Sequence, residues 1–446
     1  SGFKGDNPMD TEGHGTKLAS VAAGKGILRG VAPDATIVAL RMASTQSNNP
    51  NLGNMLNALE ASVDPNNDKD FSDHLDVISI SSTSGNNPNS NYAKSFDNVV
   101  DAGVVVVFAA VNSVPFDFSI TGDLRKAIVV GAVDNKDNIA VFSSRGPVFW
   151  MDNHGFLNYL AKPDIVAPGV AVCAAKWNGI SKDNPSNCYD DTHISSQGTS
   201  LSAPFVAGVA ALLKEKNPDW TPDEIKQTIL NTAKDIGEGI NSQGHGRIDI
   251  LKAIREDSKP CIANVESTII DESLIMLSGD AYCNEEDFKS YKISIKRYNE
   301  GDSSFRQIYF SSTQIKEGLL DIFNVSEESL GDEEYVIKLE VEDEKGKIST
   351  GYSPLVVIDR KNLFAGGSGN ATDPYKISNC RQLQNINYES MILRAEQNQW
   401  ENWILSNDID CSKTVEWNNG KGFIPIGSSN LAGFYGDFHG NGHSIK

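Results

Sequence analysis

The sequence predicts an α/β domain with a doubly wound parallel sheet, followed by two all-β modules. In residues 1–256, apolar runs of strand length alternate with helical segments, which is typical of a parallel sheet covered by helices on both faces. In residues 257–360 apolar and polar residues alternate with period two, and in residues 361–446 Gly and Asn interrupt short strands. A chain of 446 residues is long enough for two or three such domains.

Four runs rich in β-branched and apolar residues predict the strands of residues 1–256. They lie at 35–40, 75–80, 104–110 and 127–133. A helix is predicted from about residue 200 to 216, because Phe205, Val209 and Leu212 recur at the spacing of one buried helix face. A second helix is predicted over 224–233, because Thr221 suits the N-cap and Pro222 the first helical position.

Residues 257–360 predict a small antiparallel β-sandwich of immunoglobulin-like or fibronectin-like type. Tyr291, Ile293 and Ile295, for example, alternate with polar residues and so share one face of a strand. The segment contains 11 basic and 22 acidic residues. We interpret its acidic face as a solvated surface, since no D-x-D-x-D-G spacing assigns a calcium site.

Residues 361–446 begin with a Gly-rich stretch at 366–370 that predicts a linker. Further on, the sequence GDFHGNGH at 436–443 resembles the opening rungs of right-handed parallel β-helix domains on secreted bacterial proteins. The resemblance implies that this region is the start of a parallel β-helix.

The composition excludes two classes of partner. Asp and Glu number 59 against 39 Lys and Arg, which gives a formal net charge of −20. Such a surface does not suit nucleic acid or an anionic membrane. The longest apolar run, residues 104–111, is far shorter than the roughly 20 residues of a bilayer span. No membrane span is therefore predicted.

The six cysteines indicate the redox environment. They lack C-x-x-C spacing, which argues against a zinc site. Pairing each cysteine with its neighbour along the chain would close short loops inside each predicted domain, but the sequence does not choose among the many pairings that six cysteines allow. Free thiols in a cytosolic protein are the alternative; we favour an oxidised, secreted or cell-surface protein.

The strongest chemical motif is GTSLSAP at 198–204, which runs into a helix of small residues. Ser200 would lie in the first helical turn, where unpaired backbone N–H groups and the positive end of the helix dipole stabilise a developing oxyanion. This position favours a catalytic nucleophile over the alternative, an ordinary N-capping serine.

Two further segments carry candidate residues. His14 lies between glycines in DTEGHGT at 10–16, where other backbone can approach the imidazole, as a general base requires; a loop histidine is the alternative. Asn112 follows the apolar strand at 104–110, where its side-chain N–H₂ can donate to a developing negative oxygen; a turn asparagine is the alternative.

These three segments, in this order, resemble the subtilisin-like serine proteases, or subtilases. The resemblance runs through most of residues 9–252 and includes further motifs. They are GVAPDA at 30–35, VISIS at 77–81, VGAVD at 130–134, FSSRGP at 142–147, KPDIVAPG at 162–169 and GHGRID at 244–249. The resemblance implies a subtilisin-like doubly wound sheet and hydrolysis of a protein or peptide substrate through an acyl-enzyme. It requires no cofactor; calcium is compatible with it, but the sequence assigns no site.

Residue by residue, the resemblance implies that Ser200 is the nucleophile and that His14 is the general base which later protonates the leaving amine. Asn112 would complete an oxyanion hole with the Ser200 backbone N–H. An exposed strand edge would pair with the main chain of an extended substrate. The residues implied in substrate binding are Ser81, Ser82, Thr83, Ala110 and Val111.

Several positions depart from the family pattern. Lys17 and Leu18 stand where His and Val usually follow His-Gly-Thr, which should matter little to the chemistry. Leu201 replaces the common Met, so that peroxide should damage the site less. Val111 stands where Gly usually precedes the oxyanion Asn, and we expect it to narrow the pocket for the residue before the scissile bond.

The family's catalytic Asp lies at the end of the first core strand, well before the His. Only 13 residues precede His14, and none forms a strand ending in Asp-Ser-Gly or Asp-Thr-Gly. Asp10 fits an acidic residue often found four positions before the His, and Asp6 lies in a Gly-Asp-Asn-Pro turn. We therefore expect the catalytic Asp and its strand upstream of Ser1.

The sequence thus predicts a secreted serine endopeptidase whose β modules position it on a polysaccharide, a cell surface or another partner. The alternative is a surface adhesive or carbohydrate-contacting protein whose peptidase domain is inactive or only self-processing; the intact His14, Asn112 and Ser200 favour the enzyme. A lipase or esterase is disfavoured, since the sequence around Ser200 lacks the G-x-S-x-G elbow.

Overall fold

The computed structural model describes most of the chain, in segments. The described residues are 10, 12–40, 52–81, 89–112, 124–151, 157–180, 184–270, 274–284, 286–298, 300–324, 334–356, 364–386, 400–416, 422–423, 425–426, 434 and 436–446. Among them, no helix combines the length and the apolar character that a membrane crossing requires.

Helices and strands alternate in the first half of the chain, and strands dominate the second half. The helices with defined bounds are α1 (His14–Ala23), α2 (Leu52–Val63), α3 (Asn91–Asp101), α4 (Thr199–Lys216), α5 (Pro222–Thr232), α6 (Ile240–Gln243) and α7 (Ile250–Arg255). Residues 380–386 are also helical. The strands of the first half are β1 (Val77–Ile80), β2 (Val105–Ala109), β3 (Ile128–Val133), β4 (Val148–Met151), β5 (Leu157–Leu160), β6 (Ile165–Pro168), β7 (Val172–Ala175) and β8 (His193–Ser196). Those of the second half are β9 (Ile262–Ile269), β10 (Leu274–Tyr282), β11 (Phe288–Arg297), β12 (Arg306–Ser311), β13 (Ile315–Asn324), β14 (Glu334–Asp343), β15 (Ile348–Val356), β16 (Tyr375–Ile377), β17 (Glu401–Leu405) and β18 (Gly436–His439).

A four-stranded parallel sheet in the order β1-β2-β3-β6 is the centre of the first half. Alternate residues of β2 face opposite layers. Val105 and Val107 pack with α4, α5 and α7, whereas Val106 and Phe108 pack with α2 and α3. Helices therefore cover both faces of the sheet, as the unbroken apolar strands predict.

Three of the four predicted strands correspond to β1, β2 and β3, and the two predicted helices to α4 and α5. A capping box between Thr221 and Glu224 opens α5, which satisfies backbone N–H groups at the helix start. The fourth prediction, a strand at 35–40, is wrong: these residues form no strand, and the side chains of Ile37 and Val38 are 51% and 53% exposed. None of the described strands pairs with this run, and a run without a partner forms no ladder.

The β module, which we define as residues 262–356, contributes to two antiparallel sheets that enclose one apolar core. One sheet has the order β12-β11-β14-β15 and the other the order β13-β10-β9-β5-β4. Tyr291, Ile293 and Ile295 are all buried in the shared core, as the period-two alternation predicts. Its assignment to an immunoglobulin-like or fibronectin-like type stays a prediction.

Two strands from the first half of the chain extend a sheet of the β module. β4 and β5 form a hairpin, and β5 pairs antiparallel with β9, so that Asn158 lies opposite Thr268. An ion pair of 2.6 Å between Arg125 and Glu266 lies at the same junction. The predicted boundary near residue 256 stays a prediction of chain organisation, but strands from both sides of it share one hydrogen-bonded sheet.

In the third region, three short parallel strands lie in the order β16-β17-β18. The linker prediction for 366–370 is wrong, because this stretch folds back onto β16. The Lys376 N–H donates to the Gly366 carbonyl at 2.7 Å, and Phe364 stacks on Tyr375 with 4.5 Å between ring centroids. The β-helix assignment of this region stays a prediction.

Three disulfides join cysteines that are neighbours along the chain, each within one predicted domain. They are Cys173–Cys188, Cys261–Cys283 and Cys380–Cys411. All six cysteines lie in described segments, and none of them is free. Each bridge restricts the unfolded chain and so favours the folded state.

A buried cluster of charges lies beside the parallel sheet. Lys162 Nζ lies 2.7 Å from Asp164 Oδ2, and Lys226 Nζ lies 3.3 Å from Asp164 Oδ1. Burial lowers the pKa of Lys162 to about 8, against the attraction of Asp164. Burial opposes the ionisation of Asp164, but the two lysines hold its pKa below the ordinary value. One carboxylate is thus the shared counter-charge of two buried ammonium groups.

Replacing Asp164 with Asn should lower the free energy of unfolding by about 3–5 kcal/mol, because two buried ammonium groups lose their counter-charge. Lys162→Met is the matched control: Lys226 still pairs with Asp164, so the loss should be clearly smaller. Urea unfolding followed by circular dichroism measures both variants. An equal loss in the two would contradict this account of the cluster.

Candidate active site

Ser200 lies at the start of the buried helix α4. Gly198 precedes this helix with a φ of 141°, a conformation that favours glycine and turns the chain into the helix. The first turn is anchored by the Ser202 hydroxyl, which donates to the carbonyl oxygens of Ala167 and Pro168 at 3.1 and 3.2 Å. Ser200 itself is half-buried. It therefore sits on a fixed turn, at the positive end of the helix dipole.

Asn112 is tied to the same helix terminus. Its Oδ1 accepts hydrogen bonds from the Thr199 backbone N–H at 2.8 Å and from the Thr199 hydroxyl at 3.1 Å. A Cβ built on Gly198 would lie 3.2 Å from Asn112 Nδ2, so the N–H₂ group lies beside the start of α4. Because Oδ1 is engaged, Nδ2 is the end of the amide that can donate to another oxygen. The fold thus brings Asn112 to the turn that carries Ser200.

Val111 has a strained backbone conformation next to Asn112. Its φ is 69°, in the left-handed region that a β-branched residue rarely adopts. Its carbonyl oxygen accepts a hydrogen bond from the Ser144 N–H at 3.2 Å, and the preceding residue, Ala110, is fully buried. Surrounding contacts therefore hold a conformation that valine itself disfavours. The effect of Val111 on the width of the substrate pocket stays a prediction.

His14 is the first residue of α1, and Asp10 fixes this helix terminus. The Asp10 carboxylate accepts three backbone N–H groups and one hydroxyl at 2.7–2.9 Å, from Glu12, Gly13 and Thr16. Partial burial raises the pKa of Asp10, but these hydrogen bonds hold it well below its ordinary value. Both carboxylate oxygens are thereby engaged in capping α1. Asp6 lies outside the described residues.

Helices α1 and α4 lie side by side and run in the same direction. Near the start of each helix, Leu18 and Leu201 belong to one apolar cluster. Further along, a Cβ built on Gly208 would lie 3.1 Å from the carbonyl oxygen of Ala22, and glycine permits this close approach. The N-termini that carry the predicted base and the predicted nucleophile therefore lie at the same end of the helix pair.

The pKa of the His14 imidazole is lowered from its ordinary value. The residue is exposed, yet its partial burial is the largest cause of the lowered pKa. The positive charge of Lys17 lowers the pKa further, whereas the negative charges of Glu12 and Asp10 raise it. A lowered pKa increases the neutral fraction near neutral pH. The neutral imidazole is the form that can accept a proton.

The predicted substrate edge begins beside Ser200, the predicted nucleophile. Ser81 follows β1, and its hydroxyl donates to the backbone carbonyl of Ser200 at 3.2 Å. Ser82 and Thr83, also predicted to bind substrate, lie outside the described residues. The structure thus brings Ser81, the first residue of the predicted edge, to the start of α4.

An acidic loop follows α2. One carboxylate oxygen from each of Asp64, Asp68 and Asp73 lies within 4.8 Å of the others. The loop's own backbone already donates to two of these carboxylates. Asp64 accepts from the N–H groups of Asp68 and Lys69, each at 3.0 Å, and Asp68 accepts from the N–H group of Asp70 at 2.8 Å. These turn hydrogen bonds explain the loop, and we assign no metal ion to it.

Sequence reasoning does not single out Thr199, Ser144 or Trp177, although each supports a predicted residue. Thr199 precedes the predicted nucleophile, Ser200, in the GTS motif, and this adjacency is a usable signal. Trp177 donates its indole N–H to the Asp10 carbonyl at 2.9 Å, across 167 residues of sequence. No local pattern predicts a contact of that separation.

Comparison with known proteins matches the first half of the chain. Residues 1–246 match the model of the Subtilase family. Serine protease AprX of Bacillus subtilis (strain 168) is 31% identical over 269 residues, which cover 55% of this chain and 59% of AprX. M-protease of Shouchella clausii (strain KSM-K16) is 32% identical over 251 residues, covering 55% of this chain and 56% of that protein. Subtilisin Savinase of Lederbergia lenta is 32% identical over 251 residues, covering 55% of this chain and 79% of Savinase. The chain thus spans somewhat over half the length of AprX and of M-protease.

Solved structures match over a similar share of the chain. One, described as proteases from Pseudoalteromonas arctica PAMC 21717, is 26% identical with a TM-score of 0.45 and covers 55% of this chain and 71% of that chain. Another, the prenylagaramide maturation protease PagA, is 22% identical with a TM-score of 0.42 and covers 56% of this chain and 84% of that chain.

Replacing Lys17 with Gln should raise the pKa of His14, because it removes a positive charge that disfavours the protonated imidazole. At a fixed pH near 6 the protonated fraction of His14 should therefore increase. NMR titration of histidine ring protons measures the shift. Lys25→Gln is the control, since Lys25 lies beyond the other end of α1 and pairs with Asp34 at 2.6 Å. A His14 pKa unchanged by Lys17→Gln would contradict the assigned cause.

Proposed function

The chain belongs to the subtilase family, and on this premise we propose that it is a secreted serine endopeptidase that cleaves peptide bonds through an acyl-enzyme. The observation that carries the proposal is the pair of hydrogen bonds from Thr199 to Asn112 Oδ1, at 2.8 and 3.1 Å. They leave the Asn112 N–H₂ group beside Gly198, two positions before the proposed nucleophile. An asparagine held in this way can stabilise an oxyanion as it forms.

In the proposed mechanism, the Ser200 Oγ attacks the carbonyl carbon of the scissile peptide bond while His14 accepts the hydroxyl proton. The carbonyl oxygen becomes an oxyanion, which accepts hydrogen bonds from Asn112 Nδ2 and the Ser200 backbone N–H. When the tetrahedral intermediate collapses, the C–N bond breaks and His14 gives its proton to the leaving amine. Water then attacks the acyl-enzyme by the same route and releases the acid.

The proposed substrate is an extended chain bound along the strand edge that is predicted to begin at Ser81. The strand edge that begins at Ser81 would pair with the substrate main chain, as an added strand pairs with a sheet edge. The Ser81 hydroxyl bonds to the Ser200 carbonyl, so a substrate bound along this edge would pass the nucleophile. The substrate class we propose is therefore unfolded protein or peptide.

We place the catalytic Asp on a strand N-terminal to residue 1. In support, both oxygens of Asp10 already cap α1, which leaves it poorly placed to orient His14. In further support, β1 is the outer strand of the described parallel sheet, and Ile37 and Val38 expose apolar side chains. An additional core strand would give these groups a partner.

Secretion is supported by the three disulfides, because such bridges persist in oxidising compartments and are rare in the cytosol. The alternative function, an adhesive protein with an inactive peptidase domain, gives no reason for the bonds that orient Asn112 toward the nucleophile's turn. A polysaccharide or cell-surface partner for the C-terminal β modules stays a prediction.

An active-site phosphonate should label the wild-type full-length chain at Ser200 alone. Labelling that persists in Ser200→Ala would remove the assignment.

Asn112→Ala should lower kcat by about 10²–10³ with KM less affected, because the lost hydrogen bond acts mainly on the tetrahedral intermediate. Steady-state kinetics on a peptide substrate measure this split, and an unchanged kcat would exclude Asn112 from the mechanism.

The proposed upstream Asp can be tested by comparing chains with different N-termini. In subtilisin, a relative of this chain, loss of the triad Asp lowers kcat by about 3 × 10⁴. Residues 1–446 expressed alone should therefore be nearly inactive, whereas a chain extended N-terminally through the predicted strand should be active. In the extended chain, Asp10→Asn should reduce kcat far less than substitution of the upstream Asp. Equal rates for the short and extended chains would show instead that Asp6 or Asp10 orients His14.

A further inference from the structure

The hairpin of β4 and β5 lies between the β module and the core around the oxyanion asparagine. On one side, β5 pairs with β9 of the β module. On the other, Val148, Trp150 and Leu160 are buried in the same apolar cluster as Ala110, two residues before Asn112. The hairpin therefore contacts both the β module and the apolar cluster that contains Ala110.

The segment that leads into the hairpin also holds the residue before Asn112. The Ser144 N–H donates to the Val111 carbonyl at 3.2 Å, only four positions before the first residue of β4. The segment has little freedom between these points. The Gly146 N–H donates to the Asn241 carbonyl at 2.8 Å, and a Cβ on Gly146 would lie 2.2 Å from the Lys162 carbonyl oxygen. Ser144 and the hairpin are therefore joined by a short segment that is closely packed against the residue Lys162, two positions after β5.

One buried hydrogen bond links the hairpin to the β module through side chains. The Thr268 hydroxyl donates to Asn158 Oδ1 at 2.7 Å, and the two residues are 4% and 8% exposed. They lie directly opposite each other in the register of β5 and β9. Removing the Thr268 hydroxyl takes one hydrogen bond away from this buried pair, which favours movement of the strand.

We propose that the β module is a positioning element of the active site, and that Asn158 and Thr268 are positioning residues for Asn112. Through β5 and β4 they fix Ser144, which holds the Val111 carbonyl. Val111 needs this external support because its φ of 69° is unfavourable for a β-branched residue. The inference rests on the proposed peptidase function and adds to it a source of order for the oxyanion hole.

Kinetics of the N-terminally extended, active chain on a peptide substrate test the proposal. Thr268→Val should lower kcat by roughly tenfold with KM changed by less than about twofold, because a displaced oxyanion donor acts on the tetrahedral intermediate more than on bound substrate. Thr268→Ser restores the hydroxyl and should restore kcat. A wild-type kcat in Thr268→Val would overturn the proposal. If Thr268→Val does not fold, Asn158→Ala takes its place and must show the same loss.

Ser349→Ala is the matched control. Ser349 is 1% exposed, and its hydroxyl oxygen accepts a hydrogen bond from Asn231 Nδ2 at 2.9 Å. This contact also joins the β module to the first half of the chain, but through α5 rather than the hairpin. Ser349→Ala should leave kcat at the wild-type level. An equal loss of kcat in Ser349→Ala and Thr268→Val would show general loosening and contradict a specific path to Asn112.

A double-mutant cycle separates this inference from the function on which it rests. In an Asn112→Ala background, Thr268→Val should cause no further loss of kcat, because the group it positions is absent. Independent, multiplicative losses would overturn the proposal. If Ser200→Ala and Asn112→Ala leave hydrolysis unchanged, the proposed function fails. If Ser200→Ala and Asn112→Ala lose activity as expected and Thr268→Val keeps the wild-type kcat, only the positioning role of Thr268 fails.

Discussion

The carboxyl end of β2 and the N-terminus of α4 are joined by the amide oxygen of Asn112, which accepts two hydrogen bonds from Thr199 at 2.8 and 3.1 Å. This contact connects the central sheet with the helix that carries the predicted nucleophile. In open parallel sheets, binding sites form at the carboxyl ends of the strands. Because the contact occupies the Asn112 Oδ1, the side chain offers its N–H₂ group as a donor rather than the oxygen as an acceptor.

Other elements of the fold keep this contact in place from several directions. The Ser202 hydroxyl fixes the first turn of α4 to the end of β6 through two carbonyl oxygens. Asp10 caps α1, so the neighbouring helix presents His14 from a defined terminus. The β module reaches the same region through a shared sheet rather than a flexible link. Backbone hydrogen bonds between β5 and β9 therefore join the β module to the first half of the chain.

Local patterns predicted the strands β1, β2 and β3, the helices α4 and α5, and the alternation that buries Tyr291, Ile293 and Ile295. Motifs also identified Asn112, which the structure places beside the turn of Ser200. The run at 35–40 was misassigned because β-branched composition does not supply a neighbouring strand. The pairing of β5 with β9 could not be predicted, since it joins Asn158 and Thr268 across 110 residues, and no periodicity records a contact of that range.

A crystal structure of the full-length chain bound to a peptidyl phosphonate would test the central claim most directly. The account predicts a covalent bond from Ser200 Oγ to phosphorus and a phosphonyl oxygen about 2.7–3.1 Å from both Asn112 Nδ2 and the Ser200 backbone nitrogen. It also predicts that Asn112 Oδ1 keeps its hydrogen bonds to Thr199. A phosphonate attached elsewhere, or an Asn112 side chain turned away from the phosphonyl oxygen, would contradict it.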